Sequence, residues 1–136
     1  MKTLLEFQKE YYEKEHAPYE SVVDKYNEYF RDNAQVGDGA TVCYWTDRHA
    51  CTIVKRTPKT LTLRRCKATL SDDFKPDFVV GGFIAHCTNN GAQKWEYEED
   101  EDGEIYKAHW SEKKKSFFVH GLRVVSGRHE FYDYNF

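Results

Sequence analysis

The sequence lacks most of what would place it in a common functional class. No run approaches the ~18 consecutive apolar residues of a membrane-spanning helix. The opening Met1-Lys2-Thr3-Leu4-Leu5-Glu6-Phe7 turns acidic and polar at once, which excludes a secretory signal and leaves cytoplasmic residence as the expectation. There is no basic excess: 20 Lys and Arg stand against 23 Asp and Glu, a formal net charge of −3. Bulk charge of that sign does not hold a protein on long nucleic acid. Cysteines are few and isolated (Cys43, Cys51, Cys66, Cys87), never Cys-x-x-Cys. In a reducing compartment they are expected as small core residues without disulfides.

Catalytic signatures are missing too: Gly-x-Ser-x-Gly, Gly-x-x-x-x-Gly-Lys-Ser/Thr and His-Glu-x-x-His do not occur. Asp47, His49, His86 and Cys87 are the groups able to titrate or attack, but no spacing singles them out. The expectation is a chain that is not an enzyme. Metal chemistry fares no better. Adjacent His86 and Cys87 point to opposite faces of a strand, and only His49 and Cys51 fall on one side, short of the four convergent ligands of structural zinc. Glu96 to Glu104 contains seven carboxylates without the ordered spacing of a calcium loop, and reads as a solvated turn. No cofactor or metal is expected.

What the chain does have is rings: 10 Tyr, 9 Phe and 3 Trp in 136 residues, a length suited to one domain. That content argues against disorder and for a core of amphipathic aromatics. Leu4, Leu5, Phe7, Tyr11 and Tyr12 share a loose helical face, which Pro18 interrupts. Tyr19, Val22, Val23, Tyr26, Tyr29 and Phe30 then follow a period of 3.6. This stripe reads as core, packed on the domain or on a sister chain, which makes a homo-oligomer an expectation. From Val36 the period becomes 2. Ala40–Trp45, Ala50–Arg56 and Thr60–Arg65 read as strands after the Gly37-Asp38-Gly39 turn. Residues 69 to 82 read as a long irregular loop, followed by Phe83–Cys87 and a tight turn at Asn89-Asn90-Gly91. Lys94–Glu98 and Ile105–Trp110 read as a hairpin across the acidic turn. The fold class is α+β: an N-terminal helical segment, 1–34, then an antiparallel β domain, 35–136, built as an SH3-like small barrel or curled sheet.

One pattern recurs. Arginine, histidine and asparagine sit beside aromatics at Tyr44-Trp45-Thr46-Asp47-Arg48-His49, at Phe83 to Asn90, and from Arg123 through Arg128-His129. Rings stack on a base, guanidinium groups fork onto phosphates, and amides read base edges. The same residue types line protein interfaces, so a small-ligand pocket, a protein interface and plain structure all remain open from the residues alone.

The stretches Val36–Val42 and Trp45–Val54, with the ending Ser126–Phe136, resemble a family of small tailed-bacteriophage proteins, to which no catalytic assignment attaches. The resemblance covers residues 36–136, and the block Gly81–Cys87 marks one branch. It implies a host-takeover or anti-defence role in an infected bacterial cell. Size and ring–arginine content are similar to those of Thoeris anti-defence type sponges, which bind cyclic nucleotide signals without cleaving them. On that footing the expected ligand is a small anionic nucleotide of the cyclic ADP-ribose or cyclic-oligonucleotide type. Tyr44, Trp45 and Phe83 would stack; Arg48, Arg123 and Arg128 would hold phosphate; His86, Asn89 and Asn90 would read polar edges, with His49 also among the ligand-binding residues. The alternative is an inhibitor docking on a host defence or metabolic enzyme.

Overall fold

The computed structural model describes residues 1–14, 21–81, 84–87 and 89–134, with the backbone alone over 78–81 and 84–86. Among the described residues two helices precede ten strands, an α+β arrangement. Helix α1 (Leu4–Tyr12) starts at Thr3, whose hydroxyl accepts the Glu6 N–H at 3.2 Å and donates to the Glu6 carboxylate, so the first turn is tied on both sides. Helix α2 (Val22–Asn33) starts at Ser21, which accepts from the Asp24 N–H. Its final carbonyls are closed from the sheet: the Arg56 guanidinium donates to Ala34 O and, at 3.0 Å, to Arg31 O.

The stripe on α2 is turned inward. Tyr26 and Phe30 are buried, Phe30 meets Phe117 edge-on at 5.9 Å, and Tyr29 packs on Phe7 at 5.4 Å. Phe7 also abuts Tyr26 at 5.5 Å and so pins α1 to α2. Tyr26, Tyr29 and Phe30 of that stripe are thus engaged within the chain, while Tyr19 lies outside the described residues. Among the described residues no helix is long and apolar enough to cross a membrane.

Six strands close a barrel: β1 (Gly39–Cys43), β2 (Arg48–Thr57), β3 (Thr60–Arg65), β8 (Ile105–Ser111), β9 (Ser116–Val119) and β10 (Leu122–Ser126), in the order β1-β10-β9-β8-β3-β2. Every pairing is antiparallel. Closure removes free edges from these strands. Alternation fills the interior with Val42, Ile53, Leu61, Leu63, Phe117 and Val119, all buried, each contributing about 1.5–3 kcal/mol of apolar transfer. A bulge between Ile53 and Lys55 bends β2.

Four strands lie outside the barrel. β4 (Lys67–Leu70) pairs with β7 (Trp95–Glu98), and β5 (Phe78–Gly81) with β6 (Ile84–Cys87). Two expectations are corrected here. The segment Lys94–Glu98 is not the hairpin partner of Ile105–Trp110: β7 joins β4, while β8 joins β3. Residues 69–82 are not one irregular loop either, since β4 and β5 occupy both ends of it. The Asn-Asn-Gly step opens a short 3-10 turn over Asn90–Ala92. Cys51, Cys66 and Cys87 are buried, Cys43 is half-buried, and among the described residues no cysteine forms a disulfide.

Candidate ligand-binding site

The outer face of the β1–β10 seam is where charge and space coincide. Cys43 and Arg48 are cross-strand partners on β1 and β2, and Thr41 and Val42 pair with Val125 and Val124. The register therefore brings Arg123 of β10 beside Cys43. Cys43, Arg48, Arg123 and Val125 line a cavity of about 670 Å³ between the barrel, the N-terminal segment and α2. That volume lies within the ~300–1,000 Å³ range typical of small-molecule sites.

Arg48 is held by its backbone, Arg123 by its guanidinium. Arg48 is bridged to Phe131 by two main-chain hydrogen bonds, at 3.0 and 3.1 Å. Arg123 donates to the Ser116 hydroxyl and lies 5.2 Å over the Phe118 ring. Among the described residues neither guanidinium has a carboxylate ion-pair partner. Asp38 also lines the cavity, but its carboxylate accepts the Gln35 N–H at 2.9 Å. Burial pushes the Cys43 thiol above its ordinary range, against the pull of Arg48 and Arg123. It stands as a neutral wall group, not a thiolate nucleophile.

The opposite wall is aliphatic: Met1, Leu4, Leu5 and Val23, with Val125 on the barrel side. The N-terminal segment is fixed there by two tyrosines. Tyr26 Oη donates to Lys2 O at 2.9 Å and also bonds the Ser126 hydroxyl at 2.7 Å, and the Lys2 N–H donates to Tyr29 Oη at 2.8 Å. His129 completes the rim. These wall residues were not among those expected from the sequence. Their signal there was Leu4, Leu5 and Val23 on helical faces.

The other expected site residues fall elsewhere. Tyr44 and His49 lie at one end of the barrel with ring centroids 4.5 Å apart. There Tyr44 Oη meets Tyr106 Oη at 3.1 Å, Tyr106 donates to Glu104 at 3.0 Å, and Arg65 makes a two-pronged ion pair with Glu130. Burial, then the Arg65 charge, holds the His49 ring below its usual range. Burial drives the Cys51 thiol up to about 12. Trp45 stands 97% exposed at the β1–β2 tip. Arg128 braces the barrel, donating to Thr52 Oγ1 at 2.9 Å and Gly37 O at 3.3 Å beside Glu99.

The two asparagines act as clips. Asn89 accepts the Asp77 N–H and donates to Lys75 O, both at 2.8 Å. Asn90 donates to Asp133 at 3.0 Å and accepts the Tyr134 N–H at 3.2 Å. They span a second, open hollow and the C-terminal tail, not the seam cavity. Phe83 lies outside the described residues, and His86 is described only as a backbone position in β6. Among the described residues no group of three or more His, Cys, Asp and Glu is placed to hold a metal ion. Of the ten residues expected to bind ligand, Arg48 and Arg123 are the pair the barrel seam brings together. Comparison with family models, curated proteins and solved structures found no match to this chain.

Proposed function

We propose that this chain is a non-catalytic binding protein that sequesters a small anionic ligand in the seam cavity. The observation that carries the reading is the pair Arg48 and Arg123, on β2 and β10, the strands either side of β1, lining one cavity and without carboxylate partners among the described residues. In a chain of net charge −3, two such guanidinium groups concentrate positive potential where a ligand can enter, and their fork geometry suits phosphate or carboxylate oxygens.

In its finer form the reading makes the chain a bacteriophage anti-defence factor of the infected cytoplasm, holding a cyclic ADP-ribose-type or cyclic-oligonucleotide signal. The residues resembling small phage proteins support that form, and the arginine pair is its phosphate site. Calorimetry against cyclic ADP-ribose isomers and cyclic di- and trinucleotides tests it. Wild type should give saturable heat, Arg48→Ala with Arg123→Ala should weaken binding at least about tenfold, as loss of charged hydrogen bonds costs, and ligand should be recovered intact after heat denaturation. Silence from every nucleotide at micromolar protein removes the nucleotide form.

A second reading has its own observation. Trp45 is 97% and Tyr132 51% exposed, and their segments are tied where the Asp133 N–H donates to Asp47 at 2.9 Å. Large rings left in water are the anchors that protein interfaces bury. Docking on a host enzyme through this tip predicts a stoichiometric partner in a lysate pull-down, lost in Trp45→Ala while small-ligand binding persists.

A further inference from the structure

The seam cavity has two chemically unlike parts. One end carries Arg48 and Arg123 around the neutral Cys43 thiol. The wall facing it is built from unbranched and branched aliphatic side chains. Met1, Leu4, Leu5 and Val23 line the same space yet remain 52%, 36%, 63% and 45% exposed. Uncovered apolar area gathered in one hollow, rather than scattered, marks a surface that something else covers.

A nucleotide base would need a flat ring to stack on and amides to read its edge. Two rings line the cavity: Tyr26 is 4% exposed with its hydroxyl already bonded to Lys2 O and Ser126, and the His129 ring is tied to Ser126 O through Nε2 at 3.0 Å. Asn27, the amide of the lining, donates to Ser116 Oγ at 3.1 Å. The apolar surface left open is therefore methyl and methylene, next to Arg48 and Arg123, while Lys2 is paired with Glu10 and Asp38 accepts the Gln35 N–H.

We propose that the occupant is a single-chain acyl anion: its carboxylate lies on Arg48 and Arg123, and its methylene chain runs along Met1, Leu4, Leu5, Val23 and Val125. This rests on the reading of the cavity as an anion site and names the body that carries the anion. The free, monomeric acyl anion is the form that fits. A membrane surface engages cations and apolar side chains laid out on one plane, whereas here both line one cavity of about 670 Å³.

The experiment is calorimetry of the full chain with octanoate, decanoate and dodecanoate below their micelle concentrations. One ligand per chain should bind, with affinity rising about fourfold per added methylene. Decanol, matched in length but uncharged, should bind at least tenfold more weakly than decanoate. Arg48→Gln with Arg123→Gln should remove that charge preference. Leu5→Glu, at an exposed position off the barrel, should lower affinity and flatten the chain-length series, and circular dichroism of both variants should match wild type. Binding of a cyclic nucleotide that Arg48→Gln with Arg123→Gln abolishes, without length-dependent acyl binding, overturns the acyl assignment and leaves the anion site standing. Acyl binding indifferent to both arginines, or binding only to anionic-lipid vesicles or an acidic amphipathic peptide, overturns the acyl assignment as well. No binding by any of these ligands overturns the anion site itself.

Discussion

Glu130 reaches back from the C-terminal tail into the end of the barrel with both oxygens engaged. Oε1 and Oε2 accept from Arg65 Nη1 and Nη2, each at 2.6 Å, and Oε1 also takes the Ala50 N–H at 2.8 Å. Its side chain is 7% exposed, so water cannot stand in for what it supplies. Glu130→Ala strands a half-buried guanidinium and a strand N–H together, and should cost about 3–5 kcal/mol in urea denaturation. Glu130→Gln, which retains one acceptor, should cost less. Beside this pair, His49 is kept below its usual value of 6.5, by burial first and the Arg65 charge second, with Glu130, Asp47 and Glu104 pulling the other way. The unfolded chain therefore takes up a proton that the folded one resists, and stability falls as pH drops below that value. The carboxylates held below their ordinary 4.5, such as Glu99, act only at lower pH. Between about pH 7.5 and 5.5 the denaturation midpoint should fall in wild type and stay flatter in His49→Gln.

At the scale of elements, alternation told strand from helix well and said little about which strand pairs with which. The helices, the period change at Val36 and the small antiparallel barrel were legible because amphipathic period is local. The partner of Lys94–Glu98 was not, because a period-2 stretch fits any edge of suitable polarity. Two features decide it. β4 leaves the barrel directly after β3, past buried Cys66, and Lys67 of β4 meets Glu98 of β7 with opposite charge across the pair. Then Gly103 lets the acidic connector press against the end of β3, where the Arg65 N–H donates to Glu104 O at 2.8 Å. A Cβ at Gly103 would stand 2.1 Å from Arg65 O and 3.0 Å from Asp100 O, both backbone atoms that cannot swing aside. Gly103→Ala should cost about 2 kcal/mol or more, seen as a lower urea midpoint with an unchanged slope.

Over the whole molecule, the functional reading divides along similar lines. Arg48 and Arg123 were picked out by their aromatic neighbours, yet those neighbours do not follow them to the cavity. Tyr44 turns toward the barrel end while Cys43, the residue before it, faces the cavity, because successive strand residues take opposite faces. Trp45 sits at the tip between the strands. The aliphatic wall was hidden for a different reason. It exists only where Phe7, Tyr26 and Tyr29 dock the N-terminal segment on α2, a tertiary event with no local period of its own. The N-terminal helices, whose part the sequence left open, thus supply half of the cavity.

The seam that makes the site also sets when it can exist. Thr41 Oγ1 donates to Gly127 O across 86 residues of chain, beside the β1–β10 ladder that closes the barrel. Contacts of such long sequence separation carry a large loop-closure entropy and form late, whereas the β2–β3 hairpin is local and forms early. Arg48 pairs with Cys43 of β1 and Arg123 with Phe118 of β9, so the two charges share one cavity only when β1 and β10 pair. A partly folded chain offers one isolated arginine and no cavity. A ligand held on both arginines, as proposed, would therefore stabilise the closed barrel selectively over any chain in which β1 and β10 are unpaired.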